Sequence, residues 1–177
     1  MEENIISSTG ALQQNALAVL KNLAGKDLVN KQTGIKAQIN SEQRSKIICD
    51  KAVEKTIVNG FIAKQHYAVA LNIEKIWENA IIVADNPDKK NDKNIISIKI
   101  FESSIILDNE QAIAYITVKE SIKHGHRIYS LELQEIIKSV VTGGTLSGNE
   151  GKRTTPHGKP LIISDDNHLF TILPKTE

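Results

Sequence analysis

Cysteine is nearly absent from this chain. Cys49 stands alone among 177 residues, so no internal disulfide can form, and a reducing, cytoplasmic setting is expected. Nowhere does the sequence approach the roughly 18 consecutive apolar residues that a membrane span needs, so no membrane association is expected. The start, Met1-Glu2-Glu3, lacks the basic-then-apolar order of a secretory signal. An excess of one charge is missing too. The 22 Lys and Arg against 21 Asp and Glu leave +1, which argues against a dedicated nucleic-acid coat. That balance still admits an enzyme that meets RNA at a few phosphates. Aromatic residues make up only 4%, so the interior has to be aliphatic, with Ile foremost, a residue that suits strands and cores alike.

What is present is ordinary for a globular domain: 40% hydrophobic and 24% charged residues, and enough length for one real core with extensions. The organising stretch is 110–137. Over residues 112–119, Ile113 and Tyr115 point one way and Ala114, Ile116 and Val118 the other, the two-residue period of a strand. After a break at Lys123-His124-Gly125-His126 the alternation resumes, with Tyr129, Leu131 and Leu133 opposed to Ser130, Glu132 and Gln134. Upstream, Leu12, Ala16, Leu20 and Leu23 mark a short amphipathic helix. Residues 27–40 read as a hairpin turning at Lys31-Gln32-Thr33-Gly34. A helix is expected over about 41–58, capped by Asn40 or Ser41, with Ile48, Cys49, Ala52, Val53, Thr56 and Ile57 on its apolar side. A second, over about 64–80, carries the stripe His66, Ala70, Ile73, Trp77 and Ala80. Strands follow at 81–84 and 95–101, the latter resuming at 105–107 past a bend at Ser103-Ser104, with a charged loop at 85–94 between them. Residues 142–160 read as a glycine-rich linker, and 161–164 with 169–173 as a small terminal hairpin.

Helices gathered before short-looped strands indicate an α+β fold, with helices on one face of an antiparallel sheet of four or more strands. The expected division is a helical extension over 1–26, the α+β domain over 27–140, and a linker with hairpin over 141–177.

Three groups of residues resemble a known family: Thr33-Gly34-Ile35-x-Ala37-x-Ile39, the helix Asn72-Ile73-Glu74-x-x-Trp77-x-Asn79-Ala80, and the strand pair Ala114-x-Ile116-x-Val118-Lys119 with Ile128-Tyr129-Ser130-Leu131-Glu132. The segment holding them, roughly 33–135, resembles the large polyvalent-protein-associated domains of phages and other mobile elements, and the nuclease-like domains related to them. That family is in turn similar to the barnase–EndoU–colicin–RelE superfamily of metal-independent RNases. The resemblance implies two helices packed on a four-stranded antiparallel sheet, and an RNA-cleaving ancestry.

Metal-free RNA cleavage needs a base, an acid and cations or donors for the phosphorane. His66 is the candidate base or acid, because it sits on the apolar stripe of its helix; the alternative is a hydrogen-bonded core histidine. Lys119, Arg127 and Ser130 on the paired strands supply an ammonium, a fork and a hydroxyl, and stand with His66 as the catalytic candidates. Lys46, Lys51, Tyr129 and His126 are the candidate substrate contacts; the plain reading of all these is solvated strand and helix surface. His124 and His126, with His66 as a third, are too few and too poorly spaced for a metal site, and no cofactor is expected. The expected activity is a metal-independent endoribonuclease of toxin or effector type, with RNA as partner. The alternative is a non-catalytic module of the same fold that binds a protein.

Overall fold

The computed structural model describes residues 2–139 and 161–163. The order is α1 (Glu2–Leu23), a hairpin of β1 (Leu28–Val29) and β2 (Lys36–Ala37), then α2 (Ser41–Ile48), α3 (Asp50–Val58), α4 (Ala63–Leu71) and α5 (Ile73–Asn79). The strands β3 (Ile81–Asn86), β4 (Ile95–Leu107), β5 (Glu110–Lys123) and β6 (His126–Lys138) form an antiparallel meander in that order. A short β7 (Leu161–Ile163) runs parallel to the end of β4. The fold is α+β.

Two tight turns set the meander's register. Leu107 pairs with Glu110 and Lys123 with His126, so each hairpin closes through two residues. Both residues of each turn have positive φ: Asp108 at 47° and Asn109 at 67°, His124 at 51° and Gly125 at 78°. That mirror-image geometry matches the right-handed twist of the strands it joins. Register then places Ile105, Phe101, Ala112, Ala114, Ile116, Val118, Leu131, Leu133 and Ile136 on one face, all buried. The helices cover that face. Trp77 of α5 meets Phe101 of β4 edge-on, ring centroids 4.7 Å apart, and the α1 residues Leu12, Ala16, Leu20 and Leu23 join the same core.

The helices depart from the sequence reading in three places. The helix expected to be short around Leu12 to Leu23 runs for 22 residues, Glu2–Leu23. The helix expected over 41–58 is two, because Cys49 turns extended (ψ 156°) and its carbonyl starts α3 by accepting from Ala52 N and Val53 N. The change of direction buries Ile47, Val53 and Thr56 and leaves Cys49 exposed rather than in the core. The helix expected over 64–80 breaks at Asn72 (φ −110°, ψ 10°), whose side-chain amide donates back to the Ala68 carbonyl at 2.6 Å. The stripe survives that break: His66, Ala70, Ile73, Trp77 and Ala80 are all buried. β4 runs unbroken through Ser103 and Ser104 where a bend was expected. The expected linker at 142–160 and the far arm of the terminal hairpin lie outside the described residues.

Candidate functional site

The N-terminal hairpin is fastened to the helical layer chiefly by two buried side chains, Asn30 and Trp77. The Asn30 amide donates to the carbonyls of Trp77 (2.7 Å) and Ala80 (2.8 Å), and its Oδ1 accepts from Thr33 N (3.0 Å) and Thr33 Oγ1 (2.9 Å). Trp77 Nε1 returns a bond to the Leu28 carbonyl at 2.7 Å. Gly34 closes the turn with φ 73°, a conformation that a side chain would disfavour. Held in this way, β2 runs beside β6. Gln38 N donates to Tyr129 O (2.8 Å) and Leu131 N to Gln38 O (3.0 Å).

That bridge is isolated. Upstream of it the two strands part and leave a cleft of about 520 Å³, walled by Asp27, Thr33, Gly34 and Lys36 on one side and Arg127 and Tyr129 on the other. Behind Arg127 lies a buried carboxylate, Glu120, 4% exposed. Glu120 accepts from Ser97 Oγ (3.1 Å), Arg127 Nη1 (3.1 Å) and Tyr129 Oη (3.3 Å), and pairs with Lys99 at 3.3 Å. Lys99 also donates to Asp85 at 2.6 Å. Burial alone would raise the Glu120 pKa, but the bonds from Ser97, Lys99 and Tyr129 and the Lys99 charge outweigh it and hold the carboxyl below its usual range. The charge of Glu120 is thus fixed, and it orients Arg127, whose side chain remains 68% exposed.

The candidate residues are dispersed. Arg127 and Tyr129 come together in the cleft wall. Lys119 and Ser130 pair across β5 and β6 with the opposite parity, so they face the other side of the sheet. His66 is 2% exposed among α2, α3 and α4. Its Nε2 donates to the Ile47 carbonyl at 2.7 Å, which leaves Nδ1 to accept from the Thr56 hydroxyl at 2.7 Å. Desolvation pushes its pKa down, partly opposed by the Ile47 bond, and keeps the ring neutral. Lys46 is engaged by Glu42 and Glu132, each at 2.9 Å. Lys51 stands exposed on α3, and His126 is exposed at the start of β6. Among the described residues no three His, Cys, Asp or Glu side chains gather where a metal ion could be held.

Sequence reasoning missed Glu120, Lys99, Asp85 and Ser97. The signal was the strand period: continued one step past Val118, the inward parity falls on Glu120, and Lys99 lies at inward parity two residues before Phe101. A charge at an inward position calls for a partner of opposite sign.

The pattern of the large polyvalent protein-associated domain 3 family matches residues 7–129. The chain belongs to that family. The match runs from α1 to Tyr129, so both walls of the cleft and the Asn30 fastening lie inside the part this domain 3 family shares. No match was found among curated proteins, nor among solved structures. Among the described residues, no helix is long and apolar enough to cross a membrane.

Proposed function

We propose that this chain is a non-catalytic interaction module, a domain of the kind that accompanies the large polyvalent proteins of phages and mobile elements, and that the cleft beside Arg127 is its working surface. The observation that carries the reading is the placement of the proton-transfer candidates. His66, the best of them by sequence, is sealed in the helical layer with both ring nitrogens engaged, and among the described residues no histidine lines the cleft. Of the carboxylates near the cleft, Glu120 is buried and surrounded by donors. Asp27 accepts one bond, from the Gln38 amide at 2.8 Å, and among the described residues has no imidazole across the cleft with which to form an acid–base pair. A general base needs a free lone pair within reach of the proton it takes.

A second reading, a metal-independent RNase, is favoured by Arg127 and Lys36 facing one cleft, two cations of the kind a phosphate takes. Incubation of the full chain with total RNA and tRNA in EDTA separates the two, with Arg127→Ala and His66→Gln alongside. The module leaves RNA intact. Cleavage by the wild type that is lost in Arg127→Ala would overturn this reading in favour of the nuclease.

A further inference from the structure

We infer that the cleft takes an extended peptide as an added strand on β6 and reads one acidic group on it through Arg127. This rests on the module reading and names the class of partner.

The backbone argument comes first. Residues along a strand turn their N–H and C=O groups alternately to the two neighbouring strands. Lys123 pairs with His126 at the two-residue turn, and Tyr129 O and Leu131 N reach β2, so positions 127, 129 and 131 face away from β5. β2 satisfies only Tyr129 O and Leu131 N before it diverges. The Arg127 carbonyl and the Tyr129 N–H therefore turn to the cleft with no bond from β2. On the opposite wall Asn30 N donates to Ile35 O, so by the same alternation the backbone groups of Lys36 also turn outward, toward the cleft. A nucleic acid offers little to such a row of backbone donors and acceptors, whereas an extended peptide matches it by strand addition.

The charges select the side chain. Arg127 is oriented from behind by Glu120, so its exposed donors are aimed before any ligand arrives, and Lys36 stands across the cleft. Asp27 shares the wall, and Glu120 neutralises much of the Arg127 charge at short range. A polyphosphate backbone would meet these two carboxylates along with the two cations. A single carboxylate needs only the Arg127 fork. An Asp or Glu side chain on an otherwise uncharged strand is the best fit.

The test uses the full chain as bait for a phage-displayed library of random heptapeptides, followed by amide NMR titration with one selected peptide made synthetically. Selected sequences are expected to share an Asp or Glu. The synthetic peptide is expected to shift the amides of Lys36, Ile128 and Tyr129, and its Glu→Gln or Asp→Asn version to bind about tenfold more weakly, as does the Arg127→Gln protein. Selection without an acidic residue, unchanged affinity in Arg127→Gln, or shifts confined elsewhere would overturn the proposal. A labelled oligouridylate run in the same titration is the control for class. If it shifts the cleft amides and no peptide does, the peptide assignment falls; the module reading itself fails only if RNA is cut.

Discussion

His66 and Glu120 are the two buried ionisable groups on which a functional reading of this chain turns, and they solve burial in opposite ways. His66 gives up its charge: desolvation keeps the ring neutral, and Thr56 and Ile47 satisfy its nitrogens. Glu120 keeps its charge by drawing in Ser97, Lys99, Arg127 and Tyr129. The second solution leaves a pH signature. In the unfolded chain Glu120 titrates near its ordinary 4.5, and in the fold it titrates lower. Its contribution to stability is therefore complete above pH 4.5 and is lost as pH falls from there through the folded value. Glu120→Gln removes the charge and leaves Lys99, 13% exposed, with Asp85 as its remaining partner. Urea unfolding at pH 7 is expected to show a loss of about 2 kcal/mol, below the roughly 3–5 kcal/mol of a broken buried pair because Lys99 keeps Asp85 and Arg127 can turn to water. The gap between wild type and variant should narrow below pH 4.5. A gap that stays constant down to pH 3 would show that Glu120 is not held ionised by these partners.

At the scale of the element, strands were more legible than helices, and there is a physical cause. A strand writes its faces into every second residue, so the period separated Ala114, Ile116 and Val118 from Ile113 and Tyr115 without any knowledge of partners, and the fold then buried the first set against the helices. The breaks at Cys49 and Asn72 carry neither Gly nor Pro. The packing of α2 against β6 and of α5 against β4 accompanies them, and at Asn72 the side chain's own bond to the Ala68 carbonyl adds a local cause that a polar residue in mid-helix does not announce. Glu120 was legible in principle, since its parity was known. The cleft was not, because it forms only where β2 diverges from a strand some 90 positions later in the chain. The motif Thr33-Gly34-Ile35 acquires its reason here: Thr33 completes the bonding of Asn30, and Gly34 supplies the positive φ of the turn. Asn30→Ala cuts the four bonds that its side chain makes and leaves the carbonyls of Trp77 and Ala80 without these donors in the core. A loss of roughly 3 kcal/mol is expected from one or two buried carbonyls left unpaired. Hydrogen exchange should accelerate at Lys31 N and Gly34 N, which bond Glu78 O and Asn30 O, well before it does in β5. Uniform acceleration through both would mean that the hairpin is not a separately fastened element.

For the whole molecule, the question is whether residues 1–26 are an appendage to the fold or part of it. The sequence reading set them apart as an extension, a short amphipathic helix followed by Gly25 and a hairpin. In the fold, Leu12, Leu20 and Leu23 are at most 7% exposed, Ala16 is sealed, and all four belong to the same core as Val69, Ala70 and Ile73. Burying a leucine contributes about 2 kcal/mol, so the three supply roughly 6 kcal/mol. A domain of this kind has only about 5–15 kcal/mol of net stability in all. Removing α1 would also uncover the apolar face of α4 on which it packs. Deletion of residues 1–26 is therefore expected to abolish cooperative unfolding rather than lower its midpoint. The truncated chain should bind a hydrophobic dye, keep much of its far-ultraviolet circular dichroism, and lose the near-ultraviolet signal of Trp77 against Phe101. A truncated protein that still unfolds in one sharp transition, with that signal intact, would restore the view of α1 as an extension. It would also place the stability of the cleft entirely in the hairpin, α2 to α5 and the sheet.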